Sequence, residues 1–281
     1  MVHPTVARTA EQYVAHLDRL LPGALAGFYL VGSVALGAYR DGRSDVDFVA
    51  VLDSEVGSAE LRRLRLLHIR SGLHTATAAL RRGHSPLSGT CNGVFVRSAD
   101  LAAPVTEITP VASHTGYKFT TGPVGSDVSP VAWKVLAERG VPIRGPEPSS
   151  LPLHPQPELL RSWNLDNLER YWRPWALALK RPPRAWNGLR PHWSTAYGVL
   201  GPPRLHRTLA TGDVISKVEA GEYALDVFPR GWHPLIGDAL AYWRREPRRL
   251  RLSPWKRRQH TAEFVLDVIA AAQDLQSAPS T

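Results

Sequence analysis

The chain has 281 residues, 43% hydrophobic and 21% charged, a length that suits two modest domains and a composition ordinary for a globular protein. It contains no run of about 18 apolar residues and its N-terminal stretch lacks the apolar segment of a secretory signal, so the reading excludes a membrane span and expects a cytoplasmic protein with no membrane partner. Lys and Arg number 34 against 25 Asp and Glu, a formal charge of +9, which favours polyanionic partners if it is clustered. The one cysteine, Cys91, excludes an intrachain disulfide and reads as buried filler.

Residues 11–20 place apolar side chains at helical spacing, and the following Leu-Pro-Gly ends the pattern. Residues 28–31 and 46–52 are β-branched and aromatic runs bounded by Gly, Ser and Asp, which predicts two strands with a Gly-rich turn between them. Residues 58–82 read as an amphipathic helix and 93–96 as a third strand. Ser129 at the N-cap, Pro130 at the first helical position and Gly140 just past the end delimit another helix. A proline-rich stretch after Gly145 reads as an interdomain connection and sets the boundary between 1–150 and 151–281. Beyond it, segments near 157–180, 193–211, 216–228, 231–246 and 258–275 have helical length and spacing. The fold class is therefore α+β, a mixed α/β sheet domain with flanking helices followed by an all-α helical bundle.

The chemistry concentrates in residues 31–48. In a strand, residues two apart share a face, so Asp45 and Asp47 aim both carboxylates the same way, a pattern suited to one hard divalent cation such as Mg²⁺. Gly32 and Ser33 fall at a strand-to-helix turn, where backbone amides and a hydroxyl can receive phosphate oxygens. One corner thus offers a phosphate cradle and a metal site.

That segment, GSVALGAYRDGRSDVDFVAV, resembles the signature of the polymerase-β-like nucleotidyltransferase superfamily. More closely, the chain resembles the aminoglycoside adenylyltransferases that modify streptomycin and spectinomycin. Residues 204–217 (RLHRTLATGDVISK) are similar to the helix-turn-helix segment of that family's C-terminal domain, and residues 129–145 to its last catalytic-domain helix and strand. The resemblance implies that ATP and Mg²⁺ bind between the domains and that AMP passes to the hydroxyl of a small molecule, releasing pyrophosphate. It implies that Gly32, Ser33 and Ser44 touch the triphosphate, that Asp45 and Asp47 hold magnesium and act in catalysis, and that Arg204 and Lys217 reach the phosphates. Cations of this kind supply the positioning and charge neutralisation that phosphoryl-type transfer needs. A monomer is favoured.

The chain departs from the family pattern at Asn92, where a glutamate is expected on the third strand, and an amide cannot be a general base near neutral pH. Asp100 and Glu107 are the nearest acids downstream and could stand in only if a loop folded back. Lys118, Arg190 and Ser194 fall near the family's drug-contacting positions, which argues against streptomycin as acceptor. Trp163, Trp172, Trp175, Trp186 and Trp193, with Asp166 and Glu169 among them, read as core and cleft packing. Residues 244–258 carry seven arginines and one lysine against one acid and read as a solvated link between helices, with nucleic acid as the other candidate. Two further readings follow: a catalytically degenerate nucleotide-binding homologue lacking the third carboxylate, and a transferase acting on RNA or protein.

Overall fold

The structure, a computed structural model, describes residues 2–84, 88–116, 118–122, 128–181 and 191–277. Trp186 and Arg190 lie outside the described residues. The chain divides into two compact units, Met1–Pro157 and Glu158–Thr281. Among the described residues no helix is long and apolar enough to cross a membrane.

The first unit opens with α1 (Pro4–Leu20), capped by His3 Nδ1, which accepts the Thr5 N–H. Val6, Ala10, Tyr13, Val14 and Leu17, spaced three and four apart, form its buried face. Then follow β1 (Leu25–Leu30), the one-turn α2 (Gly32–Ala35), β2 (Val46–Leu52), α3 (Ser58–Arg81), β3 (Cys91–Arg97), β4 (Ala112–Thr115), β5 (Lys118–Thr121), α4 (Pro130–Arg139) and β6 (Val141–Arg144). Their sheet order is β5-β4-β3-β2-β1-β6. Among the described strand pairs only β2 and β3 run parallel, which requires a long crossover, and α3 supplies it. Ser129 caps α4 through its side chain and Gly140 ends it, as the sequence predicts. Phe28 and Phe48 stack at 4.8 Å on the sheet, with Tyr13 of α1 against Phe48 at 5.3 Å. Gly93 is required beside them, because a Cβ there would stand 2.0 Å from the Phe48 carbonyl oxygen.

His114 of β4 is fully buried in this core. Its Nδ1 faces the Cys91 carbonyl at 3.2 Å and so carries the proton, which leaves Nε2 to accept from the Tyr13 hydroxyl at 3.0 Å. The His68 ring of α3 lies 3.9 Å from it. Burial, then the neighbouring His68, pushes the His114 imidazole down to about 3.

The second unit is helical: α5 (Leu160–Asn167), a π-helical turn at Leu168–Trp172, α6 (Arg173–Leu179), α7 (Pro191–Leu200), α8 (Pro202–Thr211), α9 (Lys217–Val227), α10 (His233–Arg244) and α11 (Pro254–Ser277). The single helix expected over 193–211 is two, because Gly201 and Pro202 interrupt the hydrogen-bond ladder between α7 and α8. Gly212, in the left-handed region at φ 79°, ends α8, and a reciprocal Ser216–Glu219 capping box starts α9. α11 packs its apolar residues into both helical cores, Phe264 and Val268 in one and Val265 and Ile269 in the other.

The arginine run departs from the solvated link that its sequence suggests. Residues 245–253 do connect α10 to α11, but Arg257 and Arg258 are 3% and 9% exposed. Arg257 forms a buried ion pair with Asp238 of α10.

Candidate nucleotide and metal site

β1 ends against β2, where the Val31 N–H donates to the Asp47 carbonyl at 2.9 Å. The chain then turns through Gly32 in the left-handed region, φ 55°, into α2. A Cβ on Gly32 would stand 2.0 Å from Asp47 Oδ2, so glycine is needed here for both conformation and close approach. The Asp47 carboxylate therefore lies against the backbone of the turn. Beside it, Ser33 Oγ is buried with no hydrogen-bond partner among the described residues.

Between α2 and β2 the loop closes on itself through Ser44. Its N–H donates to the Arg40 carbonyl at 2.8 Å, and its Oγ accepts the Arg40 N–H at 3.1 Å. Ser44 is 2% exposed. Asp45, immediately before β2, and Asp47, its second residue, are both partly exposed.

Asn92 of β3 stands in register with Asp47 across the parallel pair. Its Nδ2 donates to Asp45 Oδ2 at 2.6 Å, and its Oδ1 accepts the Gly116 N–H at 3.0 Å. Both ends of the amide are thus engaged. Neither downstream acid reaches this corner. Asp100 follows the opposite end of β3 and pairs with Arg97 at 2.8 Å. Glu107 precedes β4, whose antiparallel register puts Ala112 beside Phe95 and carries Glu107 to the same far end. At about 3.3 Å per residue, Asn92 and Arg97 are roughly 16 Å apart.

The electrostatics of the corner are anionic. Burial first, then Asp47 and Asp45, pushes the Cys91 thiol up to about 12. Burial, then Asp41 and Asp45, pushes the Tyr39 phenol up to about 12. Both groups are neutral near pH 7, and Cys91 has no thiolate with which to react. Among the described residues no group of three or more His, Cys, Asp and Glu side chains is arranged to hold a metal. Two carboxylates nevertheless fit magnesium, which binds through one or two carboxylates and keeps water and phosphate as its other ligands. The buried, unpartnered Ser33 hydroxyl beside Gly32 adds a donor suited to one such phosphate oxygen.

In the helical unit, Arg204 of α8 donates from Nε to the Ile215 carbonyl at 2.9 Å, and Lys217, first residue of α9, has its Nζ 4.2 Å from the Trp243 ring centroid. Arg204 thus reaches from the first turn of α8 to the α8–α9 connection, after which Lys217 opens α9. Trp172 is buried in the helical core and Trp193 stacks on Tyr197 at 5.0 Å. Glu169 is paired with Arg173 at 2.6 Å and held below the usual carboxylate range by that bond. Tyr39, whose buried hydroxyl is without a partner among the described residues, is an element of the first site that the sequence did not single out. The Gly116 amide is another. Tyr39 sits inside the motif and so could have been found; Gly116 carries no local signal.

A nucleotidyltransferase domain model matches residues 11–75, and a model of the aminoglycoside adenylyltransferase C-terminal domain matches residues 179–270. Through these two partial matches the chain is similar to the polymerase-β-like nucleotidyltransferases. Its fold is aminoglycoside adenylyltransferase-like, with a C-terminal helical domain. A similar solved structure is that of spectinomycin adenyltransferase AAD(9) from Enterococcus faecialis with ATP and spectinomycin. The likeness has a TM-score of 0.66 at 13% identity and covers 94% of this chain and 98% of that one. No curated protein matches the chain.

Proposed function

We propose that this protein transfers a nucleoside monophosphate, AMP from ATP, to a hydroxyl of a small molecule in a magnesium-dependent reaction. One observation carries the reading: the Asp47 carboxylate lies against the Gly32 turn, where the Ser33 hydroxyl is buried and unpartnered among the described residues, and Asp45 two residues earlier takes the Asn92 amide that stands in register with Asp47. Asp45 and Asp47 hold the cation, which when bound supplies charge neutralisation of the triphosphate. Gly32 gives the backbone approach that a phosphate needs, and Ser33 donates to a phosphate oxygen. Ser44 contributes through the loop it ties. Arg204 and Lys217 add positive charge from the helical domain.

A second reading rests on its own observation. The position expected to hold a third carboxylate is an amide bonded at both ends, to Asp45 and to Gly116. That arrangement favours a homologue that binds Mg-ATP and turns over slowly or not at all.

Calorimetric titration of ATP with and without Mg²⁺, run beside pyrophosphate release over aminoglycosides, neutral polyols and RNA, separates the two. Metal-dependent binding with acceptor-dependent release supports the transferase; binding without release supports the degenerate homologue. Loss of metal-dependent binding in Asp45→Asn and Asp47→Asn is expected in either case. Unchanged binding in both variants would overturn the site itself.

A further inference from the structure

The arginines at 244–251 have no task in nucleotidyl transfer as proposed. α10 ends with Arg245 in the left-handed region at φ 63°, and the chain turns back along the helix. A cavity of about 710 Å³ opens between α10, which contributes Asp238 and Ala241, and the returning segment, which contributes Glu246, Arg249, Leu250 and Arg251. That volume is in the range of small-ligand sites.

Asp238, one of the residues lining this cavity, carries a buried charge. The Asp238 side chain is 2% exposed; its Oδ2 accepts from Arg257 Nη1, while its Oδ1 is buried with no partner among the described residues. Arg257 Nη2 also donates to the Leu250 carbonyl at 3.1 Å, tying the returning segment to the same pair. His192 Nδ1 and Arg248 Nη1 are buried without partners too, and His192 lies within electrostatic reach of Arg248, Arg257 and Asp238. Four arginines, Arg248, Arg249, Arg251 and Arg257, face two acids, Asp238 and Glu246, so the locality is net positive.

A ligand here must satisfy opposite demands. The exposed guanidinium groups of Arg249 and Arg251 suit a phosphate, which they recognise through paired N–H donors. The Asp238 carboxylate has a free acceptor oxygen, which requires an O–H or N–H donor from the ligand. One bridging water would satisfy Asp238 Oδ1 but would leave most of a cavity this size unused. From this juxtaposition we infer that the cavity is a binding site for a small phosphorylated polyol, with its phosphate on Arg249 and Arg251 and a hydroxyl donated to Asp238. The site is separate in its residues from Asp45, Asp47 and Ser33, and does not depend on their role.

Ribose 5-phosphate titrated calorimetrically into the full chain without magnesium is the test. Saturable binding is expected, at least tenfold weaker in the double variant Arg249→Ala, Arg251→Ala, both exposed positions whose truncation spares the core. The same binding is expected to persist in Asp47→Asn, which separates this site from the metal site. Sulfate, which has no hydroxyl to give Asp238, is expected to bind at least tenfold more weakly than the sugar phosphate. Absence of saturable binding, equal binding of sulfate, or full retention in the double variant would overturn the inference. Salt-steep binding of an RNA oligonucleotide that ribose 5-phosphate does not displace would assign the arginines to a phosphate backbone instead and overturn it as well.

Discussion

Asn92 donates its side-chain amide to Asp45 Oδ2 across 2.6 Å, and the Gly116 N–H holds the other end of that amide at 3.0 Å. One lone pair of a proposed metal ligand is thereby committed to a neutral neighbour, at the position from which a third carboxylate would face Asp47. The two strands are in parallel register at this point, Asp47 beside Asn92, so a longer acid at 92 would share the carboxylate face.

Asn92→Glu is expected to raise acceptor-dependent pyrophosphate release, by about 10²-fold if proton removal is what the chain lacks. Pyrophosphate release at saturating Mg-ATP measures it. A variant no faster than the parent, yet still binding Mg-ATP, would show that the missing carboxylate does not limit turnover.

Gly32→Ala is expected to remove metal-dependent ATP binding and to destabilise the first unit by about 1–3 kcal/mol. The new Cβ would stand 2.0 Å from Asp47 Oδ2 at a backbone φ of 55°, so either the carboxylate or the turn must move. Calorimetry of Mg-ATP together with chemical denaturation separates the two effects.

Acid should loosen the sheet unit through His114 and His68. Burial lowers both imidazoles, His114 to about 3, relative to an ordinary value of 6.5. The unfolded chain therefore binds more protons than the folded one between about pH 6.5 and 3, so the contribution is complete above pH 6.5 and is lost as pH falls through that window. Each histidine adds a slope of at most about 1.4 kcal/mol per pH unit. Hydrogen exchange of the β3 and β4 amides should show protection falling from pH 7 to 4, with a shallower slope in His114→Gln. An equal slope in that variant would place the acid sensitivity elsewhere.

Asp238→Ala should destabilise the helical unit by about 3–5 kcal/mol, because it leaves Arg257 charged and unpaired at 3% exposure. Urea denaturation followed by the tryptophans of that unit measures the change. Asp238→Ala with Arg257→Met should recover much of the loss, which a purely steric role for Asp238 would not allow.

What the sequence determined by itself is what short-range geometry sets. Asp47 takes its face because side chains alternate along β2, Gly32 marks the turn because few other residues adopt its backbone, and Ser129 with Gly140 brackets α4 because capping acts within one turn. The helical lengths downstream of residue 158 follow from periodicity in the same way, except where Gly201 and Pro202 break one run in two. The short strands β4 and β5 went unread and β6 came only through the resemblance over residues 129–145, since four residues such as Ala-Ser-His-Thr or Val-Pro-Ile-Arg carry too little alternation to signal a strand without a neighbour. Only the tertiary structure brought Asn92 to Asp45, 47 residues apart, and His114 to Tyr13, 101 residues apart. It also buried Arg257 against Asp238 inside a run that composition alone assigns to solvent. Such pairings depend on strand register and helix packing, which are fixed by the whole core and not by the residues beside each partner in sequence.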